Sequence, residues 1–276
     1  MNDLNFLKMH GLGNDFVVLD GRQENIILSE ESLRAIANRH TGVGFDQLVV
    51  MEQPRNGSAD VFMRIHNADG GEVSACGNAT RCIGSLLMAE MERTSIDIET
   101  LAGVLHTTQG SEGRVSVDMG PVYTQWHEIP LSEDVDTLNL PIQINGLPEP
   151  VGVNVGNPHM VFFVDDADAA PIDEMGSQLE NHPMFPERTN VQMAEVLGAD
   201  KIRLKTWERG VGRTIASGTS ACATLVAAHR RGLTGRSAEI VMDGGCLDIQ
   251  WRDDNHIIQT GPASTSFSGV IDPSLL

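Results

Sequence analysis

The sequence has little positive charge. Only three of its 276 residues are lysine, and 19 Lys and Arg stand against 38 Asp and Glu, which gives a formal net charge of −19 at pH 7. Nucleic acids and anionic membrane surfaces are bound mainly through clusters of Lys and Arg. The charge balance therefore predicts a protein that binds neither nucleic acid nor membrane.

Long apolar runs and metal-ligand spacings are also missing. No stretch approaches the roughly 18 apolar residues of a membrane helix, and the first residues lack a secretion-signal pattern. We therefore expect a cytoplasmic protein, whose four cysteines are thiols rather than disulfides. No C-x-x-C or H-x-x-x-H pair occurs, so no metal site is predicted.

Cofactor-binding motifs are absent as well. The glycine-rich segments 11–14 and 42–45 lack the G-x-G-x-x-G spacing of a dinucleotide fold, no G-x-x-x-x-G-K occurs, and no lysine stands in a context typical of pyridoxal phosphate. The sequence thus predicts no cofactor, and any acid–base chemistry falls to side chains.

What the sequence does contain is an internal repeat. Residues 67–78 resemble residues 208–219, and Cys76 and Ser217 stand at the same place, 141 residues apart. Gly120-Pro121 and Gly261-Pro262 have the same separation, and Asn14 to Gln47 spans the same 33 positions as Asn157 to Asn190. Self-similarity at a fixed period indicates duplication. We expect two pseudo-symmetric domains, 1–120 plus 263–276 and 121–262.

The apolar pattern predicts an α/β (α+β) fold rich in strands. Period-2 alternation marks strands at 6–10, 16–19, 48–52, 61–66, 96–100, 104–108 and 115–119. Helical patterns cover 29–40, 78–92, 172–181 and 219–231. One largely apolar helix in each half suggests a sheet curled around a buried helix, because a doubly wound fold needs a helix between most strands.

Cys76 is the first candidate for catalysis. It stands where a loop enters a helix, and a helix N-terminus lowers a thiol's pKa from about 8.5 toward neutrality. Such a thiol can act as general acid or base. The alternative is a small buried residue, but the matching loop at Ser217 favours catalysis. Cys82, Cys222 and Cys246 lie in apolar segments and are expected to pack in the core.

Polar residues at repeated positions suggest a binding site for a charged, polar substrate. The backbone N–H groups of Gly77-Asn78 and Gly218-Thr219 suit a carboxylate, although Asn78 or Thr219 can instead cap a helix. Arg209 can clamp a second carboxylate or, with Glu208, form a surface ion pair. His159 is either functional or structural. Amides that can orient the substrate, or serve as turn residues, are Asn14, Gln47, Asn67, Asn157 and Asn190.

Seven ordered motifs resemble the diaminopimelate epimerase family over nearly the full length: His10-Gly-Leu-Gly-Asn-Asp-Phe16, Gly44-Phe-Asp-Gln47, Asn67-Ala-Asp-Gly70, Cys76-Gly-Asn78, Gly156-Asn-Pro-His159, Glu187-Arg-Thr-Asn190 and Trp207-Glu-Arg-Gly210. The resemblance implies two domains, each a strand-rich barrel around a central helix, with the active site in the cleft between them. It also implies a cofactor-independent epimerase of lysine biosynthesis that interconverts LL- and meso-2,6-diaminopimelate.

Site residues follow from the resemblance. It implies catalytic roles for Cys76, position 217, His159 and Glu208. It implies substrate binding by Asn14, Gln47, Asn67, Gly77, Asn78, Asn157, Asn190, Glu208, Arg209, Gly218 and Thr219. Phe267 stands where the family has a tyrosine at a dimer contact, so a homodimer is expected.

Ser217 departs from the family pattern, which has a second catalytic cysteine there. A serine hydroxyl is a much weaker acid than a thiol, so two-base epimerisation is expected to be impaired. Three explanations stay open: an engineered Cys→Ser variant, a natural racemase or hydroxyproline-type dehydratase that uses Cys76 with Ser217, or a natural non-catalytic diaminopimelate binder or weak epimerase.

Overall fold

The computed structural model describes residues 4–55, 57–144 and 146–276. The chain divides into two compact units. The first takes the residues up to Val117 together with Gly261–Leu276, and the second takes Asp118–Thr260.

Strands far outnumber helices. The strands are β1 Leu4–Gly11, β2 Asn14–Asp20, β3 Gln47–Glu52, β4 Val61–Asn67, β5 Glu72–Val73, β6 Ser95–Thr100, β7 Gly103–Gln109, β8 Val115–Pro121, β9 Val151–Asn154, β10 Pro158–Phe163, β11 Asn190–Gly198, β12 Lys201–Glu208, β13 Gly212–Thr214, β14 Ser237–Met242, β15 Gly245–Trp251, β16 His256–Gly261 and β17 Ser264–Ile271. The α-helices are α1 Glu30–Ala37, α2 Gly77–Glu90, α3 Ile172–Glu180 and α4 Gly218–Arg230. Every strand and helix predicted above is present, and the α/β class is confirmed.

The two units pair their strands in the same way. In the first unit the order is β17-β1-β2-β3-β4-β6-β7-β8, with β2/β3 and β4/β6 parallel and β5 added to β4. In the second it is β9-β10-β11-β12-β14-β15-β16, with β10/β11 and β12/β14 parallel and β13 added to β12. The parallel pairs fall at equivalent places, as a duplication requires.

The expected closed barrel is not found in the residues that the structure describes. In each unit the first and last strands of the order are not paired with each other. The strands of each unit therefore form an open sheet with two edges, and the expected barrel is corrected to this open sheet.

The long helix of each unit packs against its strands with most of its surface buried. Helix α2 contacts β1, β6 and β7, and α4 contacts β9, β10, β11, β14 and β15. Small side chains permit this close packing: a Cβ added to Gly84 of α2 would lie 2.8 Å from the Thr107 hydroxyl on β7. The predicted buried helix is thus confirmed in both units. No helix of the described chain is long and apolar enough to span a membrane.

Candidate active site

Cys76 and Ser217 occupy the same structural position. Each is the N-cap residue of its helix, Cys76 of α2 with φ −149° and ψ 113° and Ser217 of α4 with φ −144° and ψ 119°. Neither side chain caps its own helix, so thiol and hydroxyl are directed to other partners. Asn78 and Thr219 lie within the helices rather than at the N-cap, and the capping alternative for them was wrong.

In the first unit, a chain of polar contacts runs from Cys76 back to a buried cation. Cys76 Sγ lies 3.9 Å from Asn14 Oδ1, which also accepts from Asn78 Nδ2 at 3.1 Å. Asn78 Oδ1 accepts from Arg81 Nη2 at 2.7 Å. Arg81 is fully buried on α2. The half-buried thiol therefore stands at the outer end of a network whose inner end carries a positive charge.

Gln47 and Asn67 also meet in this unit. They are directly opposite on the antiparallel strands β3 and β4, and Gln47 Nε2 donates to Asn67 Oδ1 at 3.1 Å. The side-chain amide oxygen of Gln47, Oε1, is buried and accepts no hydrogen bond from the described residues. A buried acceptor without a donor costs free energy, which makes Gln47 Oε1 a candidate acceptor for a ligand.

In the second unit, Ser217 has an acid beside it. Its hydroxyl donates to Glu208 Oε2 at 2.9 Å. Burial raises the pKa of Glu208 above the ordinary glutamate value, because the charged form loses hydration. The loop that returns the chain from residue 208 to residue 217 thus brings a carboxyl group to the Ser217 hydroxyl.

His159 is buried on β10, opposite Asn190 of the parallel strand β11. Its Nε2 lies 2.7 Å from Asn157 Oδ1. Burial lowers the pKa of His159 to about 3, so its ring is neutral near pH 7. A neutral ring can orient groups through its nitrogens but carries no charge to offer a substrate.

Arg209 is held from two sides. Its backbone N–H donates to Asn190 Oδ1 at 3.0 Å, and its Nη1 donates to the Glu187 carbonyl at 3.0 Å. The Glu208 carboxyl is bonded to Ser217 and the Arg209 guanidinium to the Glu187 carbonyl, so these two side chains are directed to partners other than each other. Asn190 Nδ2 donates to the Pro158 carbonyl at 2.9 Å, which fixes the side chain that positions Arg209.

The remaining predicted residues lie at the starts of the two long helices and on β17. Gly77 and Gly218 begin α2 and α4 with Asn78 and Thr219 after them, and a Cβ on Gly218 would collide with the Gln259 amide oxygen. Phe267 lies on β17, half exposed, with its ring edge-on to Phe6 at 5.9 Å. No cluster of His, Cys, Asp or Glu suited to a metal ion occurs in the described residues.

Two of the three thiols outside the site are packing residues, as predicted. Cys82 and Cys222 are buried in their helices, whereas Cys246 is half buried on β15 and does not lie in the core. Burial raises the pKa of the Cys82 thiol to about 12. None of the four cysteines, all of which the structure describes, forms a disulfide.

Comparison with known proteins decides the family. The diaminopimelate epimerase family matches residues 6–125 and 151–266. Diaminopimelate epimerase of Rhodospirillum centenum is 52% identical over 271 residues, which cover 98% of this chain and 93% of that protein. That of Erythrobacter litoralis is 52% identical over 270 residues, or 98% and 97%. The chain belongs to the diaminopimelate epimerase family.

Solved structures extend the likeness of this diaminopimelate epimerase family member to more distant proteins. A hydroxyproline epimerase from Agrobacterium vitis aligns with a TM-score of 0.69 at 17% identity, over 99% of this chain and 94% of that one. A PhzF family phenazine biosynthesis protein of Bacillus anthracis has the same TM-score and identity, over 99% and 100%. At these identities the likeness concerns the fold.

Sequence reasoning missed Arg81 in this family member. The signal was present: a single Arg stands in the apolar pattern of α2, five residues after Cys76, and its equivalent 141 residues later is Cys222. Comparison of the two repeats alone could have revealed this difference, because Arg81 is charged whereas its counterpart Cys222 is neutral.

Proposed function

We propose that the chain interconverts LL- and meso-2,6-diaminopimelate without a cofactor, as an epimerase of lysine biosynthesis. The observation that carries the proposal is the pair of loops at Cys76 and Ser217, which have the same backbone conformation at the starts of two equivalent helices. Epimerisation removes a proton from one face of a carbon and returns one to the other face. It therefore needs two acid–base groups, and each unit supplies one candidate.

Substrate binding in this proposal relies on groups from both repeats. The N–H groups of Gly77-Asn78 and Gly218-Thr219 bind the carboxylate next to the reacting carbon, because the first N–H groups of a helix favour an anion. Arg209 binds the distant carboxylate. Gln47 Oε1, which lacks a donor in the described residues, accepts from an ammonium group of the substrate. The other binding side chains are Asn14, Asn67, Asn157, Asn190 and Glu208.

The proposed proton transfer uses two unequal groups. The Cys76 thiolate removes the α-proton and becomes a thiol, which leaves a carbanion. Ser217 Oγ–H then turns from Glu208 to the substrate and gives its proton to the opposite face. The step requires Glu208 in its protonated form, so that the carboxyl donates to Ser217 Oγ and passes its own proton to that oxygen. Glu208 is left as a carboxylate and Ser217 is again a hydroxyl. The 2.9 Å separation of the two oxygens and the upward direction of the Glu208 pKa shift, caused by loss of hydration, support this relay.

Ser217 makes this chain slower than a relative with cysteine at the same position. A thiol transfers the proton itself, whereas the hydroxyl depends on a concerted transfer from Glu208. His159, neutral because burial lowers its pKa to about 3, contributes by orienting Asn157 rather than by carrying a proton.

The test is to convert Ser217→Cys and to follow LL-to-meso conversion by chiral chromatography, with uptake of deuterium from D2O at the α-carbon. General acid–base groups contribute roughly 10²- to 10⁴-fold to rates, so we expect kcat to rise about a hundredfold. Cys246→Ser, a thiol outside the site, is the matched control and should leave kcat unchanged. A folded Ser217→Cys protein that converts no diaminopimelate would contradict the proposal, and activity on hydroxyproline or another amino acid would redirect it.

We further infer a cytoplasmic homodimer that assembles through β17. This strand pairs with β1 and carries the exposed side chains of Phe267 and Val270 without any charged residue between Ser264 and Ile271. An uncharged, exposed edge strand promotes association unless another surface covers it. A second copy of the chain is the proposed cover.

A further inference from the structure

The buried guanidinium of Arg81 stands behind Cys76, whereas the equivalent position behind Ser217 holds the neutral, buried Cys222. We propose that Arg81 is a positioning residue that stabilises the thiolate of Cys76 and so keeps this group, rather than Ser217, deprotonated before substrate binds. Its role in turnover rests on the proposed epimerase function, whereas its effect on the thiol does not.

Helix geometry directs Arg81 toward Cys76. Side chains of an α-helix lean toward its N-terminus, so a residue five positions into α2 reaches back to the first turn. There Arg81 Nη2 donates to Asn78 Oδ1 at 2.7 Å, and Arg81 Nε donates to the Pro262 carbonyl at 3.3 Å. Gly11 of β1 leaves the space for the guanidinium, because a Cβ at that position would lie 3.0 Å from Arg81 Nη2.

The hydrogen-bond network connects this charge to the thiol. Asn78, oriented by Arg81, donates to Asn14 Oδ1, and the Cys76 thiol donates to the same oxygen at 3.9 Å. This long contact favours the protonated thiol, and the Asn78 N–H that Arg81 holds in place competes for the oxygen. The thiolate itself is favoured by the positive charge of Arg81, which burial protects from screening by salt.

The same charge acts on the neighbouring thiol of the helix. Burial raises the pKa of Cys82 to about 12, and the charge of Arg81 opposes that rise. Cys82 is more buried than Cys76, so burial dominates there. At the half-buried Cys76 the loss of hydration is smaller, and the charge and the helix N-terminus both favour the anion.

The second unit has the opposite polarity. The equivalent of Arg81 is the neutral Cys222, and the equivalent of Asn67 is Glu208, whose carboxyl is bonded to Ser217. One loop thus has a cation behind it and favours a deprotonated group, and the other has an acid beside it and favours a protonated one. Two loops with the same backbone become a base and an acid.

Other titratable groups near α2 are paired with partners of their own. Asp46, which accepts from Asn14 Nδ2 at 3.0 Å, also binds Arg39 at 2.7 Å. Lys8 of β1 pairs with Asp15 at 2.5 Å, and Asp97 of β6 with His106 of β7 at 2.6 Å. His10 of β1 is the exception, because its Nδ1 is buried without a hydrogen-bond partner in the described residues. The test therefore compares variants of Arg81, in which all of these groups stay the same.

The experiment measures the iodoacetamide alkylation rate of Cys76 from pH 5 to 9 without substrate, in a Cys246→Ser background that removes the other accessible thiol. Arg81→Gln keeps an N–H donor for Asn78 and removes the charge. We take a separation of about 8 Å, roughly the spacing of Cα atoms five positions apart in a helix. At an effective dielectric constant of about 20, a charge at that distance changes the thiolate population by on the order of tenfold or more. We therefore expect the rate at pH 7 to fall about tenfold and the pH profile to move to higher pH.

Two controls separate charge from folding. Arg81→Lys keeps the charge and should keep most of the reactivity. Arg230→Gln removes a half-buried arginine of α4, which donates to the Gly152 carbonyl at 3.0 Å, and should leave the Cys76 profile unchanged. An unchanged profile in folded Arg81→Gln overturns the proposal. The proposal is also overturned if the Cys76 thiol of the protein that retains Arg81 titrates at or above the ordinary cysteine value of about 8.5. That measurement needs no variant of Arg81. Failure of diaminopimelate conversion alone leaves these thiol results standing.

Discussion

Glu180 is a buried carboxylate on which the loop before Ser217 depends. It lies at the end of α3 with 6% of its surface exposed. Its Oε2 accepts from Trp207 Nε1 at 2.8 Å, and its Oε1 accepts from the Gly210 N–H at 2.8 Å and from Arg188 Nη1 at 3.1 Å. The two hydrogen bonds to 207 and 210 enclose Glu208 and Arg209, so Glu180 holds the segment that carries both.

Glu180→Gln keeps the size of the side chain and converts one acceptor oxygen into a donor. In one amide orientation the new NH2 group faces Trp207 Nε1–H, and in the other it faces Gly210 N–H and Arg188. Either orientation leaves a buried donor without an acceptor. Hydrogen bonds to charged groups contribute about 1.5–3 kcal/mol, while the ion pair with half-exposed Arg188 contributes little. We expect the free energy of unfolding to fall by about 2–3 kcal/mol.

Urea unfolding followed by tryptophan fluorescence measures this loss in the right unit. Trp126, Trp207 and Trp251 are the three tryptophans of the chain, and all lie in Asp118–Thr260. Glu239→Gln is the control, because Glu239 pairs with exposed Lys201 across β12 and β14 and its removal should change the free energy by less than about 0.5 kcal/mol. The reasoning would be refuted if the urea midpoint of Glu180→Gln differed from that of the parent protein by no more than the midpoint of Glu239→Gln does.

Two further predictions concern pH and assembly. Because burial lowers the pKa of His159 to about 3, the stability that its neutral form contributes is complete above the unfolded value of about 6.5 and is lost as pH falls from 6.5 toward 3. The free energy of unfolding should therefore be about 1.4 kcal/mol lower at pH 5.5 than at high pH because of this group. His159→Gln should remove that part of the dependence of the unfolding free energy on pH, measured by urea titrations. The same pH dependence in the parent protein and in His159→Gln would count against the assignment. Phe267→Asp places a charge on the exposed face of β17 and should give a monomer by light scattering, whereas a monomeric parent protein would end the dimer proposal.

The sequence predicted the secondary structure well because its repeat supplied each pattern twice. Alternation such as that of 61–66 and 96–100 was read as strands, and the apolar helices at 78–92 and 219–231 were each supported by the other. The helix at 29–40 ended three residues early, at Ala37, because the backbone N–H of Asn38 turns back to Ala35. Closure of the strands depends on which chain ends meet, and no local pattern carries that information.

The contacts of the candidate site were less predictable than its members. Spacing identified Ser217 and Glu208 as counterparts of Cys76 and Asn67. The hydrogen bond from Ser217 to Glu208, however, depends on how tightly the loop 209–216 turns back, which spacing does not show. The single Arg81 in α2 gave a signal that was overlooked, because a lone charge in an apolar helix is usually assigned to the solvent side. Its burial comes from Gly11, 70 residues earlier, which makes the space for it.

The pairing of β17 with β1 has a consequence for the order in which the protein folds during synthesis. Leu4 to His10 pairs with residues 264–271, so β1 is synthesised long before its partner β17 and must wait for it. The strand pairs from β9/β10 to β15/β16 lie within Asp118–Thr260 and can form earlier. The unit that holds β1 and β17 is therefore completed after this ladder, and a chain that stopped near residue 260 would leave β1 without its partner while the ladder has already formed.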